Sequence, residues 1–303
     1  MTSLIPPWER KMERREAEEL LRNAVGNATA EFRKDQWEAI DAMVNRRQKL
    51  LLVERTGWGK SSVYFISTRI LRDRGRGLTL IVSPLLALMR NQIEAARRLG
   101  IRAETINSTN TNDWPVIQQQ ILEDNIDAVL ISPERLANES FVEEVLLPVA
   151  DRIGLLVVDE AHCISDWGHD FRPDYQRLIN ILRLLPENTP LLATTATAND
   201  RVIEDVKLQL KDIEVQRGPL ARESLALQIL PLPDQASRLA WLAQAIPELP
   251  GTGVVYVLTK HDAEQVKDWL DKQGIDVRAY YSDVKHADFE NSNCYRQHLE
   301  ELL

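Results

Sequence analysis

Lys49-Leu50-Leu51-Leu52-Val53-Glu54-Arg55-Thr56-Gly57-Trp58-Gly59-Lys60-Ser61 is an apolar run that breaks at a glycine-bearing turn, and the amphipathic stretch Ser62 to Leu71 follows it. A strand, a tight loop and a helix in that order aim the loop's amides and the helix N-terminus, with roughly half a positive charge, at an anion. Gly57 and Gly59 permit the backbone angles that turn successive amides to one side. Thr56, Gly57, Trp58, Gly59, Lys60, Ser61 and Ser62 are therefore the candidate nucleotide-binding residues. Lys60 would meet the β- and γ-phosphates, and the Ser61 hydroxyl would complete the coordination of Mg²⁺. The full phosphate-loop pattern asks for glycine where Glu54 stands, so the match is to a shorter Thr-Gly-x-Gly-Lys-Ser core. The plainer alternative is a strand-to-helix turn that binds nothing, and the flanking strand and helix weigh against it.

Further apolar runs lie on both sides in alternation with amphipathic stretches: Thr79 to Ser83, Asp127 to Ser132, Gly154 to Asp159 and Pro190 to Thr194. These runs are nearly continuous in apolar residues, as in strands covered by helices on both faces. The pattern predicts a doubly wound α/β domain with a parallel sheet over residues 28–217, preceded by a helical leader at 1–27 whose helix falls in residues 9–23. Gly218, Pro219, Pro231 and Pro233 mark a boundary and interrupt a candidate strand at 224–230. A second α/β unit over 218–303 is expected, with helices at 235–245 and 263–273 and strands at 252–258 and 276–281. That length has room for only part of another such lobe, so an incomplete domain is expected.

Composition sets bounds on the rest. The chain has 303 residues and a formal net charge of -9, which does not suit a protein that coats nucleic acid irrespective of sequence. Any contact with nucleic acid must be local. Two cysteines, Cys163 and Cys294, supply neither a disulfide framework nor the ligands of a structural zinc. The N-terminal residues lack the apolar core of a secretory signal, and no apolar run approaches the ~20 residues needed to span a bilayer. A cytoplasmic protein with no membrane segment and no zinc is expected.

Asp159-Glu160-Ala161-His162 follows directly on the apolar run Leu155 to Val158. Strands of an open parallel sheet end at the ligand crevice, so Asp159 can approach a Mg²⁺ held beside Ser61, and Glu160 can orient and deprotonate an attacking water. Ser83-Pro84 and Ser132-Pro133 each join a hydroxyl to a proline at a strand end. Each reads either as an ordinary helix cap or as a helix start that receives a DNA phosphate.

The sequence beyond Asp159-Glu160-Ala161-His162 continues Cys163-Ile164-Ser165-Asp166-Trp167-Gly168-His169-Asp170-Phe171-Arg172-Pro173, which resembles the aromatic-rich loop of the RecQ helicases. Other stretches match that family in its order along the chain. They are Phe32-Arg33-Lys34-Asp35-Gln36, Ser83-Pro84-Leu85-Leu86-Ala87-Leu88-Met89, Ser132-Pro133-Glu134-Arg135-Leu136, Thr195-Ala196-Thr197-Ala198 and Val254-Val255-Tyr256. The resemblance implies a RecA-like lobe of a DEAH-box helicase, followed by part of a second. It implies that Arg33 and Gln36 contact the adenine side, that Trp167, Phe171 and Arg172 sense single-stranded DNA, and that Thr195 and Thr197 couple hydrolysis to movement. Lys60, Asp159, Glu160 and His162 are then the catalytic set, with Ser61 and Asp159 on Mg²⁺. His162 could bond to Gln36 or the threonines, or be a plain buried histidine. Trp167 could stack on a base or close the core beneath its loop, and His169 is equally open.

Several residues depart from the family pattern. Arg55 replaces a proline, Trp58 fills a position often small, and Tyr280-Tyr281-Ser282-Asp283-Val284 stands where Tyr-His-Ala-Gly-Leu is usual. Nothing after Tyr281 resembles the later run that carries an arginine finger. The expected activity is that of an ATP-dependent DNA helicase with 3′ to 5′ movement, at work in repair or recombination, while this chain alone binds Mg-ATP and hydrolyses it weakly. A DNA-stimulated ATPase that does not unwind, and a nucleotide-dependent DNA-binding module, are the alternatives.

Overall fold

A computed structural model describes residues 10–84, 86–108, 110–165, 173–220 and 225–281. The chain divides into two compact units after residue 222. Along the first run α1 (Arg14–Val25), α2 (Gln36–Val44), β1 (Lys49–Val53), α3 (Lys60–Asp73), β2 (Thr79–Val82), α4 (Leu86–Arg98), β3 (Ala103–Ile106) and α5 (Trp114–Leu122). Next come β4 (Ala128–Ile131), a 3-10 turn (Pro133–Ala137), the short α6 (Glu139–Phe141), β5 (Leu155–Val158), α7 (Leu178–Leu184), β6 (Leu191–Thr195), α8 (Asp200–Leu210) and β7 (Glu214–Arg217).

The strands form one parallel sheet in the order β3-β4-β2-β5-β6-β1-β7. Alternation along each strand divides the core in two. Leu51, Val53, Leu80, Val82, Val129, Ile131, Leu156 and Val158 meet α5, α7 and α8 on one face. Leu50, Leu52, Ile81, Leu130, Leu155 and Val157 meet α1 to α4 on the other. Both faces are dry, which is why the central strands read as unbroken apolar runs, and each buried leucine or valine contributes about 2 kcal/mol. The doubly wound α/β fold expected from the sequence is the fold observed.

Two strands of this sheet were not anticipated. Ala103–Ile106 carries Glu104 and Thr105 at its centre, and Glu214–Arg217 is largely exposed. Both are edge strands, half wetted, so their composition carries no apolar signature. The leader helix is also part of the lobe, since Ala17 and Leu21 of α1 are buried in the core with Phe32, Ile40 and Tyr64. The arginines at the end of α3 are tied to specific partners. Arg72 pairs with Asp124 and Asp127 at 2.8 and 2.9 Å, and Arg74 bonds to the Val44 carbonyl and to Asn45.

The second unit contains α9 (Gln235–Ala245) and α10 (Lys260–Lys272). Asp234 and Thr259 cap them through side-chain oxygens that accept from Ser237 N and Asp262 N. Trp269 Nε1 donates to the Leu239 carbonyl and ties the two helices together. The segments 225–230, 252–258 and 276–281 are not strands, contrary to expectation. A strand exists only by pairing, and the described residues supply none of these segments with a ladder partner. Tyr256 and Leu258 are 91% and 100% exposed as a result.

Candidate functional site

The site is built where β1, β5 and β6 end. β6 lies between the other two, so the loop after β1 and the acids after β5 leave the same edge of the sheet, roughly 10 Å apart at the usual strand spacing. Past Val53 the chain turns with Trp58 N donating to the Arg55 carbonyl, and Gly57 and Gly59 take φ of 79° and 97°. Only glycine adopts such angles without strain, and a β-carbon on Gly59 would lie 2.6 Å from Gln36 Nε2. Gly59 is the N-cap of α3, whose first residues are Lys60, Ser61 and Ser62. Lys60 Nζ donates to the carbonyls of Glu54 and Arg55 at 2.8 and 3.3 Å.

Phe32 to Gln36 dock directly on this loop. Arg33 Nη1 donates to the Gly57 carbonyl, and Gln36 Nε2 donates to the Trp58 carbonyl at 2.8 Å. Gln36 Oε1 in turn accepts from Arg33 N, so Arg33 and Gln36 form one unit against the loop. The Trp58 indole belongs to the core, 6% exposed, and only the main chain of Trp58 is left to face a ligand.

Asp159 is 7% exposed and held on every side. Its Oδ1 accepts from Thr194 Oγ1 at 2.7 Å and from Glu160 N at 3.1 Å, and its Oδ2 accepts from Ser83 Oγ at 3.3 Å and Gln92 Nε2 at 3.4 Å. Burial pushes its carboxyl above the ordinary aspartate range; the Thr194 hydrogen bond opposes this, the Glu160 charge adds to it, and the Lys60 charge offsets part of it. Glu160 takes φ 51° and ψ 47°, a left-handed conformation for a side-chain-bearing residue. His162 is 5% exposed, and its Nδ1 lies 3.2 Å from Glu160 Oε2, 3.0 Å from Thr195 Oγ1 and 3.4 Å from Thr197 Oγ1. Of the two partners considered for His162, the threonines are the ones it meets; Gln36 is committed to the loop.

Two expectations about the serine-proline pairs are corrected. Ser83 is fully buried and gives its hydroxyl to Asp159. Ser132 precedes a five-residue 3-10 turn and makes no side-chain cap. Proline at the head of that turn and the extended backbone of Ser132 are enough to start it. Trp167, His169, Phe171 and Arg172 lie outside the described residues, as does Ser282 onward. Thr194, Gln92 and Tyr175, which touch Asp159, had not been singled out. Thr194 adjoins a matched motif, whereas nothing in the sequence pointed to Gln92 or Tyr175.

Among the described residues no helix is long and apolar enough to cross a membrane, and no group of three or more His, Cys, Asp or Glu is placed to hold a metal ion. The sequence is 30% identical over 273 residues to the ATP-dependent DNA helicase RecQ of Haemophilus influenzae, covering 86% of this chain and 42% of that one. It is 34% identical over 278 residues to the RecQ-like DNA helicase BLM of Xenopus laevis, covering 88% of this chain and 19% of that one. The chain thus spans less than half the length of these curated relatives. In structure it is similar to S. cerevisiae Dbp5 bound to RNA and ADP BeF3, at a TM-score of 0.59 and 18% identity, covering 92% of this chain and 71% of that one. It is likewise similar to the DUF1998 helicase MrfA, at a TM-score of 0.64 and 15% identity, covering 93% and 43%. These two likenesses concern the fold. The sequence model of the DEAD/DEAH box helicase family matches residues 33–206, the stretch that carries both the loop after β1 and the acids after β5. The chain belongs to the DEAD/DEAH box helicase family, with RecQ-type helicases among its relatives in sequence.

Proposed function

We propose that this chain is the nucleotide-binding part of a cytoplasmic DNA helicase of RecQ type, which couples hydrolysis of Mg-ATP to 3′ to 5′ movement on single-stranded DNA and unwinding of the duplex. By itself the chain binds Mg-ATP and hydrolyses it weakly. The observation that carries this reading is the exit of Lys60 and of Asp159 with Glu160 from strands that flank β6 at one edge of the sheet.

The residues fit a magnesium-bound triphosphate. Two glycines in the left-handed region turn the loop amides one way, and a β-carbon on Gly59 would fill the space that Gln36 approaches. Lys60 is already held by two loop carbonyls, and a phosphate oxygen is a stronger acceptor for the same ammonium. Ser61 and Asp159 would hold Mg²⁺. When bound, Mg²⁺ neutralises charge on the transferred phosphoryl group. Glu160 accepts the proton of the attacking water, and His162 orients the Glu160 carboxylate. Thr195 and Thr197 reach the same histidine and pass a change at the nucleotide to the rest of the lobe. Arg33 and Gln36 face the adenine side. The segments that begin at Ser83-Pro84 after β2 and at Ser132-Pro133 after β4 lie against the DNA backbone, and Trp167, His169, Phe171 and Arg172 contact the bases and backbone of single-stranded DNA.

Titration with a fluorescent ATP analogue and Mg²⁺ tests the reading. Lys60→Ala is expected to weaken binding about 100-fold, the loss of a charge-assisted contact. Undiminished affinity in that variant would overturn the nucleotide site, and vigorous DNA-stimulated turnover by the chain would overturn the weak-hydrolysis claim.

A further inference from the structure

Tyr175 lies within the 3-10 turn Pro173–Arg177, is fully buried, and donates from its phenol to the Asp159 carbonyl at 2.8 Å. That carbonyl belongs to the peptide joining Asp159 to Glu160. The N–H of the same peptide donates to Asp159 Oδ1 at 3.1 Å, so both of its polar ends are anchored. Glu160 sits in the left-handed region immediately beyond, a conformation that a residue with a β-carbon keeps only when its surroundings over-determine it. Rotation of the Asp159–Glu160 peptide would release Glu160 into the ordinary right-handed region, and it would also break the Tyr175 bond. The Glu160 carbonyl accepts from Cys163 N at 2.9 Å and the carboxylate meets His162, but neither contact holds the peptide itself.

We infer that Tyr175 is a positioning residue, which locks the Asp159–Glu160 peptide so that the Glu160 carboxylate is aimed for its work on water. The inference rests on the reading of Glu160 given above. The role is polar and local. The Tyr175 ring belongs to the buried apolar core on that face of the sheet, and a phenylalanine preserves its apolar bulk while deleting the one oxygen that meets the peptide. Tyr64, also fully buried, lies near both acids from α3; burial and the charges of Asp159 and Glu160 push its phenol well above the ordinary tyrosine range, so its hydroxyl stays neutral beside them.

The test compares Tyr175→Phe with the unaltered chain on two probes: an ATP analogue with Mg²⁺, and ADP with aluminium fluoride and Mg²⁺, which imitates the transferring phosphoryl group and the water in line with it. Affinity for the first is expected to stay within about twofold, and affinity for the second to fall about tenfold, the size of one buried hydrogen bond. In a Glu160→Gln background Tyr175→Phe is expected to add nothing further, because its whole effect passes through Glu160. Equal loss on both probes, no loss on either, or full additivity with Glu160→Gln would overturn the inference. Failure of the underlying reading looks different: Lys60→Ala would then keep its affinity for the ATP analogue.

Discussion

The hydroxyl of Thr195 lies 3.0 Å from Nδ1 of His162, and that same nitrogen lies 3.2 Å from a Glu160 carboxylate oxygen. A carboxylate only accepts, so Nδ1 must carry hydrogen to serve Glu160; to accept from Thr195 it must be bare. A protonated Nδ1 donates to Glu160 and can share that hydrogen with the Thr195 oxygen, whereas a bare Nδ1 accepts from Thr195 and gives Glu160 nothing. One imidazole nitrogen therefore joins the end of β6 to Glu160 in a way that its tautomer decides.

Removal of the Thr195 hydroxyl is expected to uncouple nucleotide from DNA. For Thr195→Val, affinity for an ATP analogue alone and for a single-stranded oligonucleotide alone is expected to stay within about twofold. The factor by which each ligand changes the affinity of the other should fall to about 1, from the roughly 5- to 150-fold usual for coupled sites. Fluorescence anisotropy of a labelled oligonucleotide, with and without the analogue, measures it. A coupling factor unchanged by the substitution would remove Thr195 from the relay.

The legibility of this site in the sequence follows from how its residues are brought together. Gly57 to Ser61 and Asp159 to His162 are contiguous runs, each doing local work at one strand end, so spacing alone revealed them. Thr194, Gln92 and Tyr175 reach Asp159 from 35, 67 and 16 residues away, across the sheet or from a turn, and only the strand order makes them neighbours. The same distinction governs the fold. β1, β2, β4, β5 and β6 were legible because both faces of each are covered; β3 and β7 were not, because an edge strand is half wetted. Residues 252–258 show the converse error, in which apolar composition signals a need for neighbours without supplying any.

Glu54 stands where the full loop pattern has glycine, and it is only 2% exposed. A β-carbon on Gly218 would lie 2.2 Å from its Oε1, so the carboxyl is packed against that glycine's backbone. Burial pushes the carboxyl above the ordinary glutamate range, Asp35 adds to the shift, and Lys60, Arg55 and Lys34 oppose it. A group raised in the folded state favours folding fully below its unfolded pKa and loses that contribution as pH rises through its folded value. Glu54→Gln, which keeps the shape without the charge, is therefore expected to stabilise the chain at neutral and higher pH, with the gain vanishing in acid. Urea midpoints at about pH 8 and about pH 4 should show a gap that closes. A variant less stable than the parent at the higher pH would mean that the charge, once formed, is welcome at this position.

Arg135 is nine-tenths buried, its Nε–H meets no acceptor among the described residues, and burial lowers its pKa. What faces it is aromatic: its guanidinium carbon lies 3.8 Å from the centroid of Trp114 and 5.0 Å from that of Phe141. The Trp114 indole is itself fixed, since Nε1 donates to the Asn107 carbonyl at 3.1 Å and to Asn110 Oδ1 at 3.2 Å. A planar guanidinium stacks on such faces and a compact ammonium does not, so shape should matter here more than charge. Arg135→Lys is expected to cost about 1 to 2 kcal/mol of folding stability although the charge is kept. Trp114→Ala should cost about 3 kcal/mol, the lower end for a tryptophan because the ring is only partly buried. Combined, the two should cost about 1 kcal/mol less than their sum, since either alone already breaks the stack. Strict additivity in a denaturation cycle would show that Trp114 and Arg135 stabilise the Ser132–Pro133 turn independently, through packing alone.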